Sequence, residues 1–158
     1  MTLPDDIYSQ SILELAAAMP RTARLAAPQA TARAHSKLCG STVTVDLAME
    51  GDLVTDYGQS VKACLLGQSA ASVMGREIIG STAAELRAVG SAMRRMLKED
   101  GPPPHGKWRD LAVLEPVRGY KARHASTLLV FDAVEDAISQ IEAKRAAEVK
   151  ASRSEEHV

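Results

Sequence analysis

The stretch STVTVDLAME, residues 41–50, decides the fold because polar and apolar side chains alternate along it without a break. A period of two is the pattern of a β-strand with one buried face. The apolar side of this predicted strand consists of Val43, Val45, Leu47 and Met49, and the other side consists of Thr42, Thr44, Asp46 and Ala48. Glu50-Gly51-Asp52 supplies a turn, and LVTDYGQSVKAC, residues 53–64, returns as the partner strand and ends at Cys64.

The residues before this hairpin predict one helix and one weaker strand. Apolar residues recur at steps of three and four from Pro4 to Met19, which predicts a first helix ended by Pro20. Residues 21–41 are rich in Ala, Thr and Arg, and after Pro28 they predict one strand that ends near Cys39. Each cysteine is therefore expected at the end of a strand.

The residues after the hairpin predict helices. Small residues dominate 65–79, as in a short buried helix, and Ser81 or Thr82 can cap the next helix with Glu85 closing a capping box. The helix that follows Ser81 and Thr82 has an apolar stripe of Leu86, Val89, Met93, Met96 and Leu97. GPPPHG at 101–106 stops it, and a linker with Trp108 leads to a long helix with a face of Val130, Val134, Ala137, Ile138 and Ile141.

This order of elements predicts an α+β fold: an N-terminal helix, a three-stranded antiparallel sheet, then helices packed on one face of the sheet. A chain of 158 residues, 46% of them hydrophobic, can bury the core of one domain. We assign that domain to residues 1–145, and we expect the charged tail, residues 146–158, to be disordered.

Composition excludes two classes of partner. The formal net charge of -1 gives no basic surplus for nucleic-acid binding. No segment offers about 18 consecutive apolar residues for a membrane span, and the start resembles no secretory signal. We therefore expect a soluble, cytoplasmic protein. In a reducing cytoplasm its two cysteines would be free, metal-bound or reactive rather than joined in a disulfide.

Both cysteines have features that suit a metal ligand. Gly40, which has no Cβ, follows Cys39 and would let a metal or a partner backbone approach the sulfur. Cys64 stands where a strand becomes a helix, and the helix dipole favours a thiolate there. The alternative is that both are ordinary buried cysteines. Their separation of 25 positions (64 − 39) does not resemble the short CxxC pairs of zinc ribbons, so spacing alone does not decide.

Four segments, spread over residues 5–142, resemble the NifU/IscU/SufU-type iron–sulfur cluster assembly scaffolds. DDIYSQSILELAA resembles the opening helix of that family, and LCGSTVTV resembles its first cysteine motif, Cys-Gly-Asp before a strand. VKACLLGQSAASVM resembles the second motif, and YKARHASTLLVFDAVEDAI aligns on the third without gaps. The resemblance implies that Cys39 and Cys64 match the first and second cluster ligands.

The chain departs from the family pattern at two ligand-site positions. Ser41 replaces the aspartate of the first motif, and Ser126 stands where the third ligand cysteine is expected. A serine oxygen is a hard, poorly ionised ligand and suits iron–sulfur chemistry far less than a thiolate. His124, two positions earlier, could supply a nitrogen ligand as histidines do in Rieske centres. Alternatively, His124 is a surface residue that forms a hydrogen bond at a helix start.

The resemblance implies a scaffold or carrier that binds iron or a nascent cluster through Cys39 and Cys64 and passes it to acceptor proteins. A [2Fe-2S] cluster needs four ligands, which a homodimer, His124 or a partner's cysteine could complete. A cysteine desulfurase is the implied sulfur donor. Two alternatives remain: a regulatory protein that kept the fold but lost scaffold chemistry, and a zinc site built from the two cysteines and a histidine. We expect no enzyme, because no His and carboxylate form a relay to a cysteine.

Overall fold

The structure is a computed structural model that describes residues 8–38 and 40–156, with side chains as far as Arg153. Its elements follow the order α1 (Gln10–Ala17), β1 (Ala30–His35), β2 (Thr42–Glu50), β3 (Leu53–Lys62), α2 (Leu65–Glu77), α3 (Ala83–Lys98) and α4 (His124–Glu156), with two 3₁₀ segments, Gly106–Gly119 and Lys121–Arg123, before α4. The predicted α+β architecture is confirmed. None of the described helices is long and apolar enough to cross a membrane.

The sheet is antiparallel in the order β1-β2-β3, with the alternating strand β2 at its centre. Thr42 at the start of β2 pairs with His35 at the end of β1 and with Lys62 at the end of β3. The predicted hairpin is confirmed, but β3 ends at Lys62, two residues before the predicted end at Cys64. β1 ends at His35, before the predicted end near Cys39, which lies outside the described residues.

The apolar side of β2 faces the helices, as the alternation predicts. Val43, Val45 and Leu47 have no exposed surface, because α2 and α4 cover this inner face of the sheet. The predicted helical stripes are buried with them: Leu86, Val89, Met93, Met96, Leu97, Val130, Val134, Ala137, Ile138 and Ile141. The α4 residues pack on the sheet, whereas the α3 stripe packs on α4 and on the 3₁₀ segment Gly106–Gly119. Burial in these two layers stabilises the fold, since each large apolar side chain contributes about 1.5–3 kcal/mol.

Two polar side chains of β3 also point into this core. The Tyr57 hydroxyl donates to Oε1 of Gln59 at 2.9 Å, and Gln59 Nε2 donates to the carbonyl oxygens of Ala71 at 2.9 Å and Pro20 at 3.2 Å. Complete burial raises the pKa of Tyr57, so the hydroxyl stays protonated. These bonds tie the segment after α1 and the helix α2 to the same strand.

α1 begins later than predicted. Ser9 caps it by accepting a hydrogen bond from the Ile12 amide at 3.3 Å, and the helix then runs from Gln10. The predicted start at Pro4 lies outside the described residues. Ser81 and Thr82 were the two predicted caps of α3, and Thr82 fills that position by accepting from the Glu85 amide at 3.0 Å.

The predicted linker after residue 106 is wrong, because this segment is ordered and largely packed. Trp108, Leu111, Leu114 and Val117 are buried, at intervals of three that match the three-residue turn of a 3₁₀ helix. Trp108 Nε1 donates to Oε2 of Glu85 at 3.1 Å. The Glu85 carboxylate is thus engaged by the 3₁₀ segment, although the sequence predicted that it would close a capping box.

In the structure α4 continues to Glu156, into the tail that the sequence predicts to be disordered, and that disorder stays a prediction. Residues 144–150 (KRAAEVK) are mostly Ala, Glu, Lys and Arg, which have high helix propensity, and this explains the extension. Arg145 anchors the helix to the β2–β3 turn by donating to the carbonyl of Gly51 at 2.6 Å. Residues 146–153 are exposed. The boundary at residue 145 between domain and tail stays a prediction.

The outer face of the sheet is not simply exposed, because the connection from α1 to β1 crosses it. The carbonyl of Arg21 accepts a hydrogen bond from the Gln59 amide at 2.9 Å, at the edge of β3. The chain then passes over Gly58, where a Cβ atom would lie 2.2 Å from the carbonyl oxygen of Ala23. Only glycine admits a backbone at that distance, so Gly58 sets the path of the crossing.

Asp46 on the outer face holds this crossing in place. Its side chain has no exposed surface, and it accepts hydrogen bonds from Arg24 Nε at 2.6 Å, Thr31 Oγ1 at 2.6 Å and the Leu25 amide at 3.0 Å. The alternation had placed Asp46 on the side of β2 away from the buried face, so its burial corrects that expectation. The hydrogen bond from Arg24 is the main cause that lowers the pKa of Asp46.

α2 and α4 approach each other closely at Gly67. A Cβ atom at this position would lie 2.8 Å from the Cβ of Ala63 and 2.9 Å from the carbonyl oxygen of Ser126. No real Cβ tolerates such a contact with a backbone carbonyl without movement. The missing side chain therefore allows the first turns of the two helices to pack against each other.

We predict that Asp46→Asn destabilises the protein by about 1–3 kcal/mol, because the Arg24 charge loses its partner and one buried donor loses its acceptor. The folded pKa is lowered from 3.8, so the carboxylate's contribution is complete above that value and is lost as the pH falls through the lower folded pKa. Urea unfolding at several pH values measures both effects. Asp136→Asn, an exposed aspartate on α4, should leave stability unchanged.

We predict that Gly67→Ala costs about 1–3 kcal/mol, since α2 or α4 must move to admit the methyl group. The matched control is Gly90→Ala, also inside a helix, where the nearest atoms are the ends of the flexible Glu135 and Arg94 side chains. Thermal unfolding of both variants gives the comparison. Equal stabilities of the two variants would show that the contact at Gly67 is not tight.

Candidate functional site

Three segments meet at one end of the sheet. The β1–β2 loop, residues 36–41, begins after His35 and ends before Thr42. β3 reaches the same end at Lys62, which pairs with Thr42, and the chain enters α2 two residues later. α4 begins beside the start of α2, through the contact at Gly67. This region, which we call the cysteine end, contains the predicted site segments.

Cys64 occupies the N-cap position of α2. Its backbone is extended, with φ −66° and ψ 170°, and its carbonyl accepts the first helical hydrogen bond from the Gln68 amide at 2.9 Å. The Cys64 side chain makes no capping bond to the helix and is partly exposed. Its sulfur is thus close to the unpaired amide groups of a helix start and can be reached from outside.

Ser126 lies against this sulfur. Its Oγ is 3.3 Å from Cys64 Sγ and 3.2 Å from the carbonyl oxygen of Arg123, to which it donates. A hydroxyl has one proton to donate and two lone pairs to accept. With Cys64 as a thiol, the S–H can donate to Ser126 while Ser126 donates to Arg123. With Cys64 as a thiolate, the same hydroxyl can turn and donate to the sulfur.

The side chain of His124 points away from the Cys64 sulfur, unlike that of Ser126. Two positions on an α-helix are separated by about 200°, so the two side chains leave α4 in nearly opposite directions. His124 is 7% exposed, and its Nε2 lies 3.0 Å from the carbonyl oxygen of Val117 and 3.1 Å from that of Arg118. Carbonyl oxygens only accept, so Nε2 carries the proton and donates. The alternative is correct in part, because His124 forms hydrogen bonds at the start of α4, but it is buried and not a surface residue.

His124 lines a cavity of about 530 Å³ together with Lys98, Arg118 and Lys121, and Cys64 is not among the residues that line it. A role as a metal ligand would require its other nitrogen, or the loss of both hydrogen bonds. The geometry therefore disfavours His124 as a ligand beside Cys64, although that role stays a prediction.

Ser41 is buried, and its carbonyl accepts a hydrogen bond from the Ser36 amide at 2.9 Å. The Gly40 amide donates to the Ser36 carbonyl at 2.9 Å, which closes the loop around this position. Gly40 has φ +70°, a left-handed conformation that favours glycine. Cys39 itself lies outside the described residues, so its predicted role as a ligand stays a prediction.

Within residues 8–38 and 40–153, no three His, Cys, Asp or Glu side chains are grouped so that they could hold a metal ion. Of the predicted site residues in that range, the structure brings Cys64 and Ser126 into contact, and His124 makes its contacts elsewhere. A soft metal at this end would therefore depend on the sulfur of Cys64 and on ligands from outside the described set.

Sequence reasoning missed Gly67 and the Arg123 carbonyl. Gly67 allows α2 to approach α4, and the carbonyl of Arg123 accepts from both Ser126 and Thr127. The glycine three residues after Cys64 was a visible signal, because a glycine inside a helix costs about 1 kcal/mol and often indicates close packing. The role of a backbone carbonyl has no sequence signal.

Known proteins are similar to this chain in fold and in sequence. No protein-family model matches the chain. The crystal structure of a nitrogen-fixing NifU-like protein (N-terminal) from Brucella abortus is 61% identical, with a TM-score of 0.87 over 89% of this chain and 97% of that one. The iron–sulfur cluster assembly scaffold protein IscU of Thermotoga maritima is 23% identical over 135 residues, 85% of this chain and 94% of IscU.

A third comparison supports the fold alone. The putative iron–sulfur cluster assembly scaffold protein for the SUF system from Fervidobacterium islandicum is 21% identical, with a TM-score of 0.78 over 85% of this chain and 98% of that one. The Brucella protein is far more similar in sequence, and the match spans nearly its whole length. With the family's motifs at the cysteine end, this identity shows that the chain belongs to the NifU-like, IscU-type family of iron–sulfur cluster assembly scaffolds.

Proposed function

We propose that this protein is a scaffold or carrier that binds iron or a nascent iron–sulfur cluster through Cys39 and Cys64 and transfers it to acceptor proteins. The observation that carries the proposal is the meeting of three segments at the cysteine end. The loop that contains Cys39 in sequence, the N-cap residue Cys64 and the start of α4 are adjacent there. The proposal is also supported by the family to which the chain belongs, whose members are scaffolds for iron–sulfur cluster assembly.

Ser126 supports Cys64 in this proposal but does not replace a ligand. Its hydroxyl lies 3.3 Å from Sγ, which is a hydrogen-bond distance for sulfur, and it is hydrogen-bonded to Arg123 as well. A hydroxyl that donates to a thiolate stabilises the ionised form, which is the form that binds metal. The oxygen itself is a poor partner for the soft iron–sulfur unit.

Two thiolates per chain leave a [2Fe-2S] cluster two ligands short. We propose that a second chain supplies them, so that the cluster is held between two copies in a homodimer. Completion by His124 is less favourable, because its Nε2 proton is already donated to two carbonyls. A cysteine of a partner protein is the remaining source.

This function implies two kinds of protein partner, a cysteine desulfurase that delivers sulfur and an apoprotein that accepts the cluster. The chain itself would act as a carrier and not as an enzyme. It requires reduced thiols, so we propose the cytoplasm as its location. We do not favour zinc as the bound metal, because the similar protein IscU is a scaffold for iron–sulfur cluster assembly.

Anaerobic reconstitution with iron, sulfide and a thiol reductant tests the proposal. We expect about one iron and one sulfide per chain, on a species with twice the mass of one chain, and loss of both in Cys39→Ala and in Cys64→Ala. Elemental analysis and native mass spectrometry provide the measurements. Zinc without sulfide, or full loading of the Cys64→Ala protein, would contradict the proposal.

We predict that Ser126→Cys strengthens cluster retention, because a third thiolate beside Cys64, where the hydroxyl now lies, helps one chain to hold the cluster when the second chain separates. Release of the cluster to a chelator should slow by about tenfold, the change produced by about 1.4 kcal/mol of added stability. Ser126→Ala is the control and should release its cluster faster than the unmodified protein, since the hydrogen bond to sulfur is lost. Identical release rates for all three proteins would show that position 126 does not contact the cluster site.

A further inference from the structure

The outer face of the sheet carries a cationic strip next to the cysteine end. Side chains at directly paired positions on the same face form rows across the sheet. The row nearest the end is His35, Thr42 and Lys62, and the next row is Arg33, Thr44 and Ser60. We call these six residues the outer strip. With strands about 4.8 Å apart, it is about 10 Å wide.

The cations of the outer strip have no acidic neighbours in it. Arg33 and Lys62 are exposed and take part in none of the ion pairs between described residues, and Lys37 in the adjoining loop is exposed as well. The next row inward contains Asp46, but its carboxylate is buried and bound by Arg24. The positive charge of the outer strip is therefore not neutralised within it, and Asp56, an exposed aspartate on the same face, lies two rows further along β3 than Ser60.

This local charge contrasts with the protein as a whole, whose formal net charge is -1. Three cations are concentrated within a few residues of the cysteine end, while the strip between them offers the hydroxyl groups of Thr44 and Ser60. The Thr42 hydroxyl is 3.1 Å from His35 Nδ1, with which it forms a hydrogen bond. Guanidinium, ammonium and hydroxyl groups all donate hydrogen bonds to carboxylates, and the guanidinium does so with two parallel bonds.

A partner that contacts the face of the sheet meets the side chains of the outer strip. On the β1 edge, Gln140 of α4 donates to the carbonyl of Thr31 at 3.1 Å, and Lys144 donates to that of Gln29. These two carbonyl groups are not available to a strand added at that end of β1. We therefore consider contacts between side chains on the face.

We infer that the outer strip docks the acidic surface of a protein partner during cluster delivery or transfer, and this inference rests on the proposed function. Charge complementarity identifies the partner's chemistry as carboxylates spaced to meet Arg33 and Lys62. The strip adjoins the cysteine end, so a partner bound there has its own metal or sulfur site close to Cys64. Such a contact raises the association rate more than the final affinity, and salt weakens it.

A protein fits this strip better than a nucleic acid. Specific nucleic-acid binding neutralises many phosphates along a length of backbone, and it needs a broad basic surface. The strip has two exposed, unpaired cations and one more in the adjoining loop, in a chain with no basic surplus. A short cluster of carboxylates matches this small number of cations and the small area of the outer strip.

The test uses the metal-free protein and a fluorescein-labelled peptide of alternating glutamate and serine. Binding is followed by fluorescence anisotropy at about 20 mM and then about 150 mM added salt, between which the Debye length falls from roughly 20 Å to about 8 Å. We expect binding at low salt that weakens with salt, and a loss of about tenfold in Arg33→Glu/Lys62→Glu. The control with the same charge change, Arg95→Glu/Lys98→Glu on α3, should bind the peptide within about twofold of the unmodified protein. Both control residues are exposed and outside every ion pair of the described residues.

Equal losses in the two double variants would overturn the inference, because only total charge would then matter. Tighter binding of a 20-nucleotide DNA that depends on the same two residues would overturn it in favour of a nucleic acid. Should the reversed variant fail to fold, Arg33→Gln/Lys62→Gln replaces it, with an expected loss of about threefold. Iron and sulfide loading of the strip variants should stay normal, so failure of this inference and failure of the thiolate proposal give different results.

Discussion

The close approach of α2 and α4 at Gly67 is the constraint on which the cysteine end depends. Because this position has no side chain, the carbonyl of Ser126 can lie where a methyl group would otherwise be. The same approach brings Ser126 Oγ to 3.3 Å from the sulfur of Cys64, although the two residues are 62 positions apart in sequence. A chemical site formed by two helix starts thus follows from a packing contact.

On the opposite face of the sheet, the buried carboxylate of Asp46 holds two segments together by hydrogen bonds. It fixes the crossing segment through Arg24 and the Leu25 amide, and it fixes β1 through Thr31. The crossing passes over Gly58 before the chain enters β1, whose end leads into the loop with Cys39. A charged group on the polar side of β2 therefore helps to set the geometry of the whole sheet.

Local sequence patterns predicted the parts of this fold that have a clear period. The alternation over 41–50 predicted β2, and the stripe from Leu86 to Leu97 predicted α3 with its Thr82 cap. The 3₁₀ segment with Trp108 was missed, because an interval of three is easily taken for an irregular connection. The burial of Asp46 was missed because its partner Arg24 comes from a segment with no pattern of its own.

The sequence predicted part of the candidate site and missed the contacts that involve backbone groups. The family motifs indicated Cys64 and position 126, and the structure brings these two residues into contact. The orientation of His124 could not be predicted, since it depends on carbonyl groups of the preceding 3₁₀ segment, and backbone acceptors leave no trace in residue identity. Tertiary contacts of this kind determine which neighbours of a motif can share its chemistry.

Groups from other segments use part of both long margins of the sheet. Gln140 and Lys144 contact the β1 margin, while the β3 margin meets Arg21 at one point and residues 80–82 at another. A strand of a second copy would have to displace these contacts in order to extend the sheet along its whole length. A pair of chains that share a cluster would avoid this by meeting at their cysteine ends, over a small area in which the inorganic core is the main cross-link. In such a pair, loss of the cargo and separation of the two chains would be one event.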